Sequence, residues 1–182
     1  MNNELKDIFH IQEVLKAHSY YDISRIAQEI CDYSIQSSTP RESILKRISS
    51  NEPWEYIKGE CEFRDNIFKV NTSTLIPRIE SEQIIDILKD ELKNTSIPFD
   101  GIIDVGTGSG CLIVSAAKEL GKNYEYYSTD ISEDTLDTAK ANSKKILNSN
   151  RISFVNTNLI QDLPLDPSKH YFIMANLPYI PT

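Results

Sequence analysis

Three stretches of this sequence combine residue types that can do chemistry. The first is Asp104-Val105-Gly106-Thr107-Gly108-Ser109-Gly110, an acid followed by three glycines at every second position. Glycines permit a tight turn and let a ligand approach bare backbone, and the N–H groups that open a helix point towards it. The spacing is G-x-G-x-G, whereas dinucleotide enzymes use G-x-G-x-x-G. Asp104 stands two residues before the first glycine. A carboxylate there suits the cationic amino-acid end of S-adenosyl-L-methionine and repels a pyrophosphate. S-adenosyl-L-methionine is therefore the expected ligand, with Thr107 and Ser109 in the same cradle; a dinucleotide and a turn without a ligand are the alternatives.

The second feature is Asp130, twenty residues after Gly110. A carboxylate at the end of the following strand can accept hydrogen bonds from both ribose hydroxyls. It can also cap the next helix, but Ser132 is available for that task. Asn158 and Leu159 come after a third apolar stretch, where an adenine ring would lie. Leu159 can pack on the ring and Asn158 can reach its edge, or both are plain loop. The third feature is Asn176-Leu177-Pro178-Tyr179. A planar nitrogen is a poor nucleophile because its lone pair is delocalised. Two acceptors aimed at its hydrogens orient it and stabilise the positive charge that develops as a methyl group arrives. The Asn176 side-chain oxygen and the Leu177 carbonyl can be those acceptors. Tyr179 offers a flat face; the alternative is a plain turn in which Pro178 merely ends the strand. No metal is required, and none is expected.

These features need a scaffold that brings them together. "GIIDV" (101–105), 124–130, 152–155 and 171–176 read as strands, alternating with helices over 109–121 and 132–147. That alternation predicts an α/β, Rossmann-like parallel sheet with right-handed crossovers. Ligands in such sheets sit at the carboxyl ends of strands, where the strand order reverses. The first and fourth strands flank that point, so Asn176 is expected beside the glycine loop. Ahead of the sheet, Ile8, Phe9, Val14 and Leu15 recur at roughly helical spacing. Ile23, Ile26, Ala27 and Ile30 do so after a possible Asp22 cap, and Ile44, Leu45 and Ile48 after Pro40. Residues 51–79 turn aromatic and β-branched around Gly59 and Asp65-Asn66, which predicts a short hairpin carrying Phe63 and Phe68. A helix from Ser81 to about 92 follows. The expected organisation is a helical domain over 1–52, a hairpin linker over 53–79 and an incomplete catalytic domain over 80–182.

The chain has 182 residues, a net charge of −8 and a pI of about 4.9. It lacks an overall basic surface for gripping phosphates, so direct sequence-specific binding of nucleic acid is not expected. No apolar run approaches the ~18–20 residues of a membrane span. Cys31, Cys61 and Cys111 are odd in number and show no paired spacing, which points to a reducing cytoplasm.

"EPWEYIKGECEF", "TLIPRIESE", "DVGTGSGCLIVSAA" and "ANLPYIP", in this order and spacing, resemble the release factor glutamine methyltransferases (the HemK/PrmC family). The resemblance covers essentially the whole chain. It implies a class I S-adenosylmethionine-dependent methyltransferase fold. It also implies methyl transfer to the side-chain amide of the Gln in the Gly-Gly-Gln loop of class I peptide chain release factors, which modulates translation termination. Carried over, Gly106 to Gly110 and Asp130 hold the cofactor, and Asn176 to Tyr179 hold the glutamine. Pro77, Arg78 and Glu80 lie near the active site, and the helical domain helps dock the release factor. The chain departs from the family in three ways. Leu177 replaces the usual first proline of Asn-Pro-Pro-Tyr, but the carbonyl assigned the work is retained. Leu159 stands where some members have an aromatic residue. Family members also continue beyond this length, so the chain is expected to be truncated, with an unpaired strand edge, poor solubility and little activity alone. The alternatives are a related N-methyltransferase acting on a ribosomal-protein glutamine or an rRNA adenine, or an inactive truncated remnant.

Overall fold

A computed structural model describes residues 3–177. The chain divides into two compact units after Gly59. The first is helical: α1 (Asn3–Ala17), α2 (Ile23–Ser37), α3 (Arg41–Ser49) and α4 (Trp54–Lys58). Ile26, Ala27 and Ile30 form one face of α2. They meet Ile11 and Leu15 of α1 and Ile44, Leu45 and Ile48 of α3 in a single core. Phe9 lies off that face and is exposed. Asp22 precedes α2 without capping it; its carboxylate accepts instead from Arg25 Nε at 2.8 Å.

α4 falls where the sequence suggests only a hairpin. Pro53 sets its entry with φ −59°, and Gly59 ends it at φ +77°. The short helix exists because Trp54 belongs to the core, where the indole is buried yet keeps a polar partner. Its Nε1 donates to Glu29 at 2.9 Å, its backbone N–H donates to the Tyr20 hydroxyl at 3.0 Å, and Tyr33 stacks edge-on at 5.4 Å.

The second unit opens with the hairpin, β1 (Glu60–Phe63) paired antiparallel to β2 (Asn66–Lys69). Arg64 and Asp65 turn it with φ +45° and +56°, the left-handed pair that a two-residue hairpin loop needs. A 3₁₀ turn over Ile79–Ser81 leads into α5 (Glu82–Asn94). Then come β3 (Gly101–Val105), α6 (Cys111–Leu120), β4 (Glu125–Asp130), α7 (Glu133–Leu147), β5 (Ile152–Asn156) and β6 (Tyr171–Ala175). The four later strands form a parallel sheet in the order β5-β4-β3-β6. This is the expected doubly wound arrangement, with the reversal between β3 and β6.

Every residue of β3 is buried, as befits a central strand. Ile103 and Val105 pack with Leu163, Leu165, Tyr127, Val155 and Tyr171. β6 pairs only with β3 among the described residues, and its Ile173 is exposed.

The hairpin is bonded along the helices that follow it. The Arg64 guanidinium reaches Glu119 of α6 at 2.6 Å, and Asp86 at 2.9 Å and the Glu82 carbonyl at 3.0 Å on α5. On α7, the fully buried Asn142 accepts from Lys69 N–H at 2.7 Å. It donates to the carbonyls of Lys69 at 2.9 Å and Ser109 at 2.8 Å. Asn71 donates to Thr138 at 3.0 Å, and Thr135 donates to the Ser73 carbonyl at 2.8 Å.

Candidate active site

The glycine loop joins β3 to α6. Gly106, Gly108 and Gly110 have φ of +70°, +56° and +79°, all in the left-handed region that glycine adopts without strain. The N–H groups of Gly106 and Thr107 both donate to the Thr129 carbonyl, at 2.9 and 3.0 Å, which fixes the loop on the neighbouring strand. A side chain at Gly106 would bring its Cβ within 2.5 Å of Leu177 Cδ2. At Gly108 nothing lies within 4 Å, so its backbone is bare.

Asp104 does not reach the cleft. It is only 1% exposed, and its carboxylate accepts from the Thr107 hydroxyl at 2.7 Å. Burial pushes its pKa up to about 6, against the opposing effect of hydrogen bonds from Thr107 and the Ile113 backbone. The structure puts this acid beneath the loop, tying the turn shut. Thr107 and Ser109 are buried, and with Gly110 they stand behind the loop and do not line the cleft.

Asp130 ends β4, and both of its carboxylate oxygens face backbone N–H groups. One accepts from Ser132 at 3.0 Å and the other from Gly108 at 3.3 Å. Ser132 caps α7 by accepting from Thr135 N–H at 3.3 Å. Asp130 thus braces the loop and still has lone pairs for ligand hydroxyls, since a carboxylate accepts about four hydrogen bonds.

These parts surround a cleft of about 1050 Å³. Gly106, Gly108, Asp130, Asn158 and Leu159 line it together with Arg78, Glu80, Ser81, Asn176 and Leu177. Leu159 has φ +55°, a left-handed conformation uncommon for a residue with a side chain, where an adenine ring would rest. The residues fit S-adenosyl-L-methionine: the volume suits a nucleoside-sized ligand, a carboxylate stands at the ribose position, and Gly108 leaves room for it. Thr129 also lines the cleft, and its buried hydroxyl has no hydrogen-bond partner among the described residues.

Asn176 follows β6 directly and comes beside the glycine loop, 66 residues from Gly110 in sequence. Its Nδ2 donates to Ser81 Oγ at 3.2 Å. Pro178 and Tyr179 lie outside the described residues. Two residues at or behind the site are not evident from sequence. Ser81 reads there only as a helix start, although Pro77, Arg78 and Glu80 of the same segment end one residue short of it. Asn142 has a fainter signal: Thr135, Thr138 and Asn142 recur at i, i+3 and i+7, a polar stripe on one helix face.

Among the described residues, no group of three or more His, Cys, Asp or Glu residues could hold a metal ion, and no helix is long and apolar enough to cross a membrane.

Residues 102–182 match the family model of a methyltransferase domain. The solved "delta-N METTL16 MTase domain" superposes with a TM-score of 0.50 at 23% identity, covering 62% of this chain and 51% of its own, which speaks to fold alone. Sheet order, glycine loop and cleft together make this a class I S-adenosylmethionine-dependent methyltransferase fold. In sequence its relatives are the release factor glutamine methyltransferases. The Flavobacterium psychrophilum protein of that name is 38% identical over 140 residues, 76% of this chain and 48% of its own. The Leptospira interrogans one is 33% identical over 178 residues, 97% of this chain and 58% of its own. The chain therefore spans about half the length of these curated relatives.

Proposed function

We propose that the cleft directs a methyl group from S-adenosyl-L-methionine to the side-chain amide nitrogen of a glutamine. The substrate is the Gly-Gly-Gln loop of class I peptide chain release factors in the cytoplasm, and the modification tunes translation termination. One observation carries this reading: Asn176 and Leu177 line the same cleft as Asp130 and the bare backbone of Gly108. The names of the sequence relatives support the choice of acceptor.

When bound, S-adenosyl-L-methionine supplies a methyl group on a positively charged sulfur, which an amide nitrogen can take up as it loses a proton. The Asn176 side-chain oxygen accepts one N–H of the glutamine amide, and the Leu177 carbonyl accepts the other. Both carry partial negative charge, so they draw the nitrogen towards a tetrahedral arrangement and stabilise its growing positive charge. Tyr179 provides the surface on which the planar amide lies. Asp130 holds the ribose, and the glycine loop holds the amino-acid end. The helical unit of α1–α4 docks the release factor.

The test is transfer of labelled methyl groups to purified release factor, with a Gln→Ala loop variant as control. Label is expected in the first and absent from the second. Equal labelling of both, or of neither, refutes the substrate. Asn176→Ala is expected to all but abolish transfer, leaving only a residual rate readable in long single-turnover assays, while cofactor affinity stays within about threefold.

A further inference from the structure

We infer that Ser81 is a positioning residue that sets the Asn176 amide for its acceptor, an inference that rests on the methyl-transfer reading above. The contact between Asn176 Nδ2 and Ser81 Oγ, 3.2 Å long, joins two points 95 residues apart at the wall of the cleft.

Ser81 occupies the N-cap position of α5, where a serine hydroxyl ordinarily accepts from a backbone N–H of the first turn. Here it makes no such bond. Its hydroxyl is turned away from the helix and towards Asn176.

The orientation matters because an asparagine amide has an oxygen at one corner and a donor nitrogen at the other, and its terminal torsion is broad and roughly two-fold. Flipped, the side chain would point N–H at the N–H of a glutamine amide, donor against donor. With Nδ2 donated to Ser81 Oγ, the oxygen stands at the opposite corner, the one the acceptor needs; because a hydroxyl can also donate, Ser81 fixes the place and plane of the amide, and the N–H groups of the acceptor select its oxygen. Asn176 follows the strand that pairs only with β3 among the described residues. Ser81 sits in the 3₁₀ turn, with its N–H donated to the Arg78 carbonyl at 3.0 Å. It leads into α5, which Ile85 and Leu88 bury and Arg64 holds through Asp86 and the Glu82 carbonyl. The Ser81 hydroxyl thus ties the residue after β6 to the turn ahead of α5, and the 77–82 segment gains a task in the reaction.

The experiment uses the intact protein with release factor as acceptor and compares Ser81→Ala, Ser81→Thr, Asn176→Ala and the Ser81→Ala/Asn176→Ala double variant. Ser81→Ala is expected to lower kcat about ten- to a hundredfold. Cofactor affinity and Tm should barely change, because no capping bond is lost. Ser81→Thr keeps the hydroxyl and should restore kcat to within about threefold. In the Asn176→Ala background the second substitution should add nothing. Unaltered kcat in Ser81→Ala overturns the inference, as do a matching loss of cofactor affinity, failure of threonine to rescue, or full additivity in the double variant. Normal turnover in Asn176→Ala, or no transfer by the wild type, instead refutes the methyl-transfer reading. In that case the NMR signals of the Asn176 side-chain NH₂ decide the contact alone: Ser81→Ala must shift them and speed their exchange, and unchanged signals sink it.

Discussion

Alanine at each of the three loop glycines should separate backbone strain from crowding. All three glycines have positive φ, between +56° and +79°. An alanine held in the left-handed region costs about 1–2 kcal/mol. A methyl group at Gly108 would meet nothing within 4 Å, so Gly108→Ala should cost that amount alone. At Gly106 the new Cβ would lie 2.5 Å from Leu177 Cδ2, the end of a flexible side chain that is 40% exposed. Turning that side chain off its rotamer adds about 0.5–1.5 kcal/mol, for a total of about 1.5–3.5 kcal/mol. At Gly110 the neighbours are Ala139 Cβ at 3.0 Å and Ala139 Cα at 3.3 Å, part of α7 itself. A backbone cannot rotate aside, so overpacking adds about 1–3 kcal/mol and brings the total to about 2–5 kcal/mol. The assay is urea unfolding followed by circular dichroism, reading midpoints at constant slope. The expected order of destabilisation is Gly108→Ala, then Gly106→Ala, then Gly110→Ala. Measured against Leu177→Ala alone, Gly106→Ala should fall back to the cost of Gly108→Ala. If Gly106→Ala is no worse than Gly108→Ala, or if trimming Leu177 brings no relief, Leu177 does not rest on the loop and the reasoning fails.

Asp130→Ala removes the acceptor for Gly108 N–H together with the carboxylate proposed to hold the ribose; isothermal titration should show cofactor affinity lowered about ten- to a hundredfold, and an unchanged affinity would exclude Asp130 from the site. Asn142→Ala should destabilise by about 2–4 kcal/mol, since it leaves the Lys69 N–H and two carbonyls without partners. Asn142→Asp should be worse, because a carboxylate would face the Lys69 and Ser109 carbonyls; melting curves check both. Burial raises the folded-state pKa of Asp104 from its ordinary 3.8 to about 6, so the folded protein binds this proton more tightly than the unfolded chain. Stability from this group is full below 3.8 and is lost as pH rises through about 6. Asp104→Asn should therefore gain stability relative to wild type across that window, and parallel profiles of urea midpoint against pH would contradict it.

What the sequence makes legible follows the range of its signals. β3 to β6 announce themselves as short apolar runs separated by helices, and "DVGTGSG" can only be a strand-to-helix turn that exposes backbone. Their order then brings Asn176 beside Gly106 without any knowledge of side-chain contacts. α4 is hidden because it is five residues long and is stabilised by Trp54 in a core assembled from three other helices, which no local pattern reports. Asp104 has the right type and position to suggest a ligand contact. The central strand is buried on both faces, however, and the neighbouring hydroxyl of Thr107 takes its carboxylate. The Ser81–Asn176 contact spans 95 residues, and serine at the start of a helix already has a sufficient local explanation. Long-range polar contacts of this kind leave no periodicity to read.

The grip of Asn142 on Lys69 and Ser109 bears on how this protein can be recombined with its relatives. A splice at residue 79 would hand the hairpin to one parent and α7 to the other, so the recipient's amide would face an unfamiliar strand and the glycine loop would lose a brace. A splice after Gly59 moves β1, β2, α7 and the loop together. Shuffling at the second junction should give folded hybrids from parents that are incompatible at the first.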